Sequence, residues 1–304
     1  MKNKIIKTFF LGLFFLIFFL KNSYSQEFKF LGSELKILDD GNIVVGSDGI
    51  KITSENQIIE ANEFEYNKTD LHLKLLGQIK IVDTLKDIII TGNKIEYFKN
   101  IEKYFAEGDV KIKIDNKYTI DSSNLTYLKT KEHFFSKNKS IFKDNIGNKF
   151  ELNKLDYFKL LNKIRGSKIN FTDVQLNKYY IDDAIIDLEK NQIVGKDVAI
   201  DFVNSTFGNN QNEPRLKGNK IYSDQNITTI SKGIFTTCKK TDNCPPWTMQ
   251  ANEVKHDKKK QTINYKNAWL KIYDRPVLYF PRFFHPDPTV ERQSGFLIPR
   301  LTSA

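Results

Sequence analysis

Cysteine is scarce in this chain, with two in 304 residues, and the four histidines His72, His133, His256 and His285 are scattered. No C-x-x-C or H-x-x-H spacing brings them to ligand distance, so no metal site is expected. No G-x-S-x-G, P-loop or Rossmann fingerprint occurs, and no cofactor is expected. Arginine does not cluster with aromatics as a nucleic-acid groove requires, which removes nucleic acid as a partner. After residue 25 no run is apolar enough to cross a bilayer as a helix, and no helical period lasts beyond about two turns.

What the chain does have is a repeat. Tyr66, Tyr97, Tyr127, Tyr157 and Leu188 follow one another at steps of 31, 30, 30 and 31 residues. Each closes a copy of the pattern apolar-x-small-x-x-apolar-x-apolar: Ile59/Ala61/Phe64/Tyr66, Ile90/Gly92/Ile95/Tyr97, Ile120/Ser122/Leu125/Tyr127, Phe150/Leu152/Leu155/Tyr157 and Ile181/Asp183/Ile186/Leu188. Gly46, Gly77, Gly108, Asn138, Gly166 and Gly195 keep step as a second row of landmarks, of residue types that tolerate positive φ. A period of roughly 20–50 residues denotes one supersecondary unit stacked on its neighbours.

Within each unit the alternation has period two, as in Leu71/Leu73/Leu75, Ile79/Ile81 and Val110/Ile112/Ile114, with charged residues mostly between. That is a half-buried strand, and the enrichment in Ile, Val, Tyr, Phe and Thr suits a pleated surface. The two residues between the small and apolar positions break the alternation as a bulge or corner does, keeping both apolar pairs inward. Ile169 after Gly166 and Val198 after Gly195 come one residue later than Val110 after Gly108, which predicts an extra bulge in the later units. The expected fold is all-β: two facing antiparallel sheets built from repeats of about 30 residues. Inward rows include Ile59, Phe64, Tyr66, Ile95, Tyr97, Leu125, Tyr127, Leu155 and Tyr157, which either floor an open apolar groove or pack the core.

The first 25 residues stand apart. Lys2, Lys4 and Lys7 precede the apolar run Phe9–Leu20, and Ser23-Tyr24-Ser25 supplies small residues before Gln26. This is the pattern of an export signal peptide, and the run is short of the roughly 20 residues of a permanent anchor. Removing Lys2, Lys4, Lys7 and Lys21 lowers the formal charge from +10 to +6, a modest excess that suits either acidic ligands or a solvated lysine-rich surface. The domain expected to follow runs over 26–275, interrupted by a polar loop at 204–218 that contains Gly208 to Pro214.

A dense signature closes the chain: Thr236-Thr237-Cys238, Pro246-Trp247, His256-Asp257, Asn267-Ala268, Arg275-Pro276-Val277-Leu278-Tyr279-Phe280-Pro281 and Ser294-Gly295-Phe296-Leu297-Ile298-Pro299. In this order it resembles the LptD family of lipopolysaccharide-assembly proteins, also called organic solvent tolerance proteins. The preceding repeats resemble the OstA-type, LptA-like β-jellyroll of that family and of the periplasmic bridge proteins.

The resemblance implies an open periplasmic β-jellyroll that receives lipopolysaccharide from an LptA-like bridge joined by strand addition. It also implies passage of that lipid into an outer-membrane barrel holding an LptE-like lipoprotein. On this basis the nine inward residues contact acyl chains, and residues 276–304, with Pro276 and Pro281 as a hinge, form the start of a barrel missing from this chain. Cys238 matches a family cysteine that forms an interdomain disulfide, and Cys244, six residues on, offers a local bond instead. Both pairings stay open at this point. A stand-alone periplasmic scaffold pairing through its sheet edges is the alternative. An exported β-array glycosidase is a third, but Asp39-Asp40-Gly41 suits a turn and Asp183 falls in the small-residue slot, so no catalytic residue is expected.

Overall fold

The computed structural model describes residues 28–173, 176–204, 211–241, 245–286 and 290. The expected export signal, Cys244 and the stretch Ser294–Pro299 lie outside the described residues.

The described chain is a single antiparallel sheet of 20 strands running in chain order. It begins with β1 (Lys29–Leu38), β2 (Ile43–Thr53), β3 (Gln57–Ala61), β4 (Glu63–Asn67), β5 (His72–Asp83), β6 (Ile88–Phe98), β7 (Lys103–Ile114) and β8 (Tyr118–Leu128). The middle comprises β9 (His133–Ser136), β10 (Ser140–Asp144), β11 (Lys149–Leu152), β12 (Lys154–Phe158), β13 (Lys163–Thr172), β14 (Lys178–Asp187) and β15 (Gln192–Asp201). It ends with β16 (Arg215–Ser223), β17 (Ile227–Thr236), β18 (Trp247–Asp257), β19 (Thr262–Ile272) and β20 (Arg275–Pro286). In three places one rung is split in two: β3 and β4 share the place between β2 and β5, and β9 with β10 and β11 with β12 do likewise.

Each rung bends at its middle, at the break in alternation that the repeat carries. On β6, Ile88 and Ile90 face inward before the bend and Ile95 and Tyr97 after it. The bends fold the sheet into two walls whose side chains meet: Phe142 of one wall lies 5.1 Å from Tyr157 of the other, and Phe30 stacks on Phe64 at 4.9 Å.

The landmark glycines serve two purposes. Gly77 and Gly108 have φ of 71° and 73° and, with Gln78 and Asp109 also left-handed, shift the register against the neighbouring strand. Gly166 and Gly195 do not have positive φ. A Cβ on Gly166 would stand 2.3 Å from Leu152 Cδ2, and one on Gly195 2.7 Å from Ile181 Cγ2, so these glycines permit close approach at the corner. The bulge expected in the later units is therefore corrected: register holds there, and a single left-handed residue, Lys168 or Asp197, makes the bend.

In the fifth unit Asp183 faces solvent, paired with Lys196 at 2.9 Å, while Ala184 takes the inward small position. Two boundaries also move. β16 starts at Arg215, inside the expected loop 204–218, because Leu216 faces the core and Gly218 lets Ile230 approach. The sheet continues through Pro286, past the boundary expected at residue 275.

Candidate functional site

The space between the walls is the largest apolar feature of the described chain. All nine inward residues expected from the repeat line it, and none is more than 7% exposed. The interior is filled rather than open as a trough, because an empty apolar channel would wet its lining while collapse lets the rings pack on one another.

The filling is aromatic and continuous. Phe28 meets Tyr97 edge-on at 6.3 Å, Tyr97 stacks on Tyr104 at 4.2 Å, Tyr104 lies 5.9 Å from Tyr127, and Tyr127 stacks on Phe134 at 4.2 Å. The row continues through Tyr157, Phe142, Phe150, Phe171 and Tyr179 at centroid spacings of 4.6–6.3 Å. Burial pushes the hydroxyls of Tyr97, Tyr104, Tyr127, Tyr157 and Tyr179 well above their ordinary value of 10.

Opposite the bends, turns of the two walls meet in a polar seam. Lys129 Nζ lies 3.2 Å from Asp83 Oδ2, and Gln57 Nε2 donates to the same oxygen at 3.0 Å. Tyr104 donates its hydroxyl to Gln57 Oε1 at 3.0 Å, tying the aromatic row to the seam. Glu132 takes Lys86 on one oxygen and Lys159 on the other at 3.6 Å, and Lys159 also reaches Asp115 at 3.0 Å. Asn162 Nδ2 donates to the Tyr118 hydroxyl at 3.1 Å.

The repeat builds this seam too. Three short 3-10 turns follow Tyr97, Tyr127 and Tyr157, each closed by a left-handed residue, Glu102, Glu132 or Asn162. Tyr97 donates to Glu102 at 3.0 Å and Tyr157 to Asn162 at 3.2 Å, but Glu132 is drawn to the lysines and the Tyr127 hydroxyl is left buried without a partner. Sequence reading missed the seam. Its signal is nonetheless present, since Lys99, Lys129 and Lys159 recur at steps of 30, two residues after each tyrosine.

The remaining candidate residues lie apart from the interior's middle. Cys238 is a half-buried thiol 3.8 Å from the Trp247 carbonyl oxygen, and Cys244 lies outside the described residues. Pro276 and Pro281 sit within the edge strand β20, where a missing N–H is tolerated. His72 and His133 pair with Glu96 at 3.1 Å and Asp156 at 3.0 Å on the outer surface of the sheet, and Asp39–Gly41 is a 3-10 turn. Among the described residues no group of three or more His, Cys, Asp or Glu is placed to hold a metal ion.

Comparison with known proteins gives partial matches. An 80-residue stretch, 26% of the chain, is 38% identical to LPS-assembly protein LptD of Yersinia pestis bv. Antiqua (strain Antiqua) and covers 10% of that protein. Over 88 residues, 29% of the chain, identity to LPS-assembly protein LptD of Alcanivorax borkumensis is 34%, covering 11% of it. Over 91 residues, 29% of the chain, identity to LPS-assembly protein LptD of Pseudomonas syringae pv. tomato is 31%, covering 10% of it. The matched part thus spans about a tenth of the length of these curated relatives. No family model matches. Among solved structures, LptH, the LptA homologous periplasmic component of the lipopolysaccharide transport device of Pseudomonas aeruginosa, aligns over 34% of this chain and 76% of its own, with 13% identity and a TM-score of 0.32. The matched stretch is LptD-like in sequence, and the chain that carries it is all-β.

Proposed function

We propose that this chain is a non-enzymatic lipid-transport module that shelters the acyl chains of lipopolysaccharide between its two walls on the way to the outer membrane. The observation that carries this is the continuous apolar interior, whose walls are each internally hydrogen-bonded but joined to one another by side chains alone opposite the bends. Such walls can part without breaking a single ladder hydrogen bond. The need is set by solvent: each CH2 moved into water costs about 0.8 kcal/mol, so a lipid with several acyl chains requires continuous apolar cover. The LptD-like stretch supports the same reading.

Its place of action is the periplasm and the inner face of the outer membrane. Among the described residues β1 pairs with β2 alone, so its other edge can accept a strand from an LptA-like bridge protein. A longer form would lead on into a barrel with an LptE-like lipoprotein, Pro276 and Pro281 would lie in the strand β20 that precedes it rather than form a hinge, and Cys238 would supply a disulfide to Cys244 or across domains. A scaffold role without lipid passage is the second reading, favoured by the filled interior together with the exposed Leu31, Ile37 and Leu38 on the β1 edge.

Photo-crosslinking side chains at Tyr97 or Tyr127 test the choice. Lipopolysaccharide captured there in living cells, but not at the outward Lys111, supports transport. Equal labelling at all three positions leaves the scaffold.

A further inference from the structure

The seam is not uniform. From Asp83 to Tyr118 on one wall and from Lys129 to Asn162 on the other its polar groups bond across, whereas in the next turns of each wall they bond back into their own turns. Asp144 accepts from the Ile146 and Asn148 amides, Asp187 from Lys190, and Asp224 from Asn226 and Ile227. Between these turns lies a cavity of about 310 Å³ floored by Phe150, Phe171 and Ile186, with Tyr179 and Ile193 on its sides. The same Phe150, Phe171 and Tyr179 end the aromatic row, so only those rings separate the cavity from the apolar interior.

The geometry points to this gap as a lateral mouth that takes a single hydrocarbon chain, a fatty-acyl tail entering end first between the Asp144–Asn148 turn and the Ile186–Ile193 hairpin. This rests on the proposed lipid function and adds where entry occurs. Three features carry it. The volume stands at the lower end of the roughly 300–1,000 Å³ of small-ligand sites, enough for one acyl chain of the lipid at a time. The floor is aromatic and aliphatic, and the polar rim groups are already engaged: Asp144 and Asp224 accept turn amides, and the Lys258 ammonium donates to the Asp224 carbonyl oxygen at 2.8 Å. And the cross-seam bonds that hold the walls shut elsewhere are replaced here by bonds within each turn, so a tail can part the walls without breaking an ion pair.

Lauric acid carrying a terminal diazirine, irradiated with the full chain and mapped by peptide mass spectrometry, tests the mouth. Adducts should concentrate on residues 144–150 and 179–193, unmodified lauric acid should compete them away, and Ile193→Trp, which fills the rim from a half-buried position, should reduce them about ten-fold. Competition on the unaltered protein keeps the test valid should the variant fold poorly. Adducts spread over the exposed edges at Leu31, Val277 and Phe284, or undiminished by Ile193→Trp in a folded variant, overturn the mouth. If lipopolysaccharide still crosslinks at Tyr127 while the mouth stays unlabelled, the transport function stands and this entry point falls; if neither labels, both fall.

Discussion

Lys129 and Asp83 meet at 3.2 Å across the seam, with side chains only 13% and 4% exposed. Asp83 also accepts from Gln57 at 3.0 Å and from the Lys86 amide at 2.9 Å, so one carboxylate holds three parts of the chain. Truncating a member of a buried pair leaves its partner's charge uncompensated, which typically costs about 3–5 kcal/mol. Lys129 keeps Glu102 at 3.8 Å when Asp83 is lost, so Asp83→Ala should fall at the lower end, about 3 kcal/mol by urea denaturation, with Asp83→Asn less harmful because it keeps acceptor capacity. A loss below about 1 kcal/mol, the range of exposed pairs, would show the seam to be solvated and the walls held by packing alone.

The Tyr127 hydroxyl is buried without a partner, whereas that of Tyr104 bonds to Gln57. A buried unsatisfied polar group costs about 1–3 kcal/mol. Tyr127→Phe should therefore be neutral or stabilising, while Tyr104→Phe should destabilise by about 1 kcal/mol because Gln57 Oε1 loses its donor. Equal losses for the two variants in thermal and urea unfolding would refute the assignment.

Two glycines of the repeat should respond in opposite ways to alanine. At Gly166 the added methyl would press on Leu152 Cδ2 at 2.3 Å and on the Lys154 carbonyl oxygen at 3.0 Å, an overpacking worth about 1–3 kcal/mol of stability. At Gly92 the nearest atom is 3.6 Å away and φ is not positive, so Gly92→Ala should be neutral or stabilising by up to about 1 kcal/mol. Comparison of the two midpoints in urea checks the corner geometry, and similar losses at both sites would contradict it.

The buried tyrosines make the fold sensitive to alkali. Tyr97, Tyr104, Tyr127, Tyr157, Tyr179 and Tyr265 keep their protons in the folded chain, chiefly through burial, at a pH where an unfolded tyrosine releases them. A raised folded value means that this contribution is complete below about pH 10 and is lost as pH rises further. Phenolate absorbance should show these buried tyrosines ionising only with cooperative unfolding. A single transition near pH 10 for every tyrosine, with structure retained, would mean that water already reaches the interior.

The local architecture was legible in the residues because it depends on neighbours along the chain. The alternation around Ile90, Gly92, Ile95 and Tyr97 dictates which faces turn inward and where the rung must bend, and the structure places all four of these positions inside. Whether a landmark glycine supplies a left-handed turn, as Gly77 does, or clearance, as Gly166 does, could not be read that way, since clearance depends on what a neighbouring strand brings to it.

A repeat of 30 residues determined the stack of bent strands, its inward rows and even the lysines that return at Lys129 and Lys159. Only the folded chain decided that those lysines face Asp83 and Asp115 and that the interior fills with stacked rings. It also decided that the seam slackens beside Phe171 and Tyr179. The physical reason is range: strand pattern follows from adjacent residues, whereas contacts across two walls depend on the accumulated twist and stagger of every strand between them.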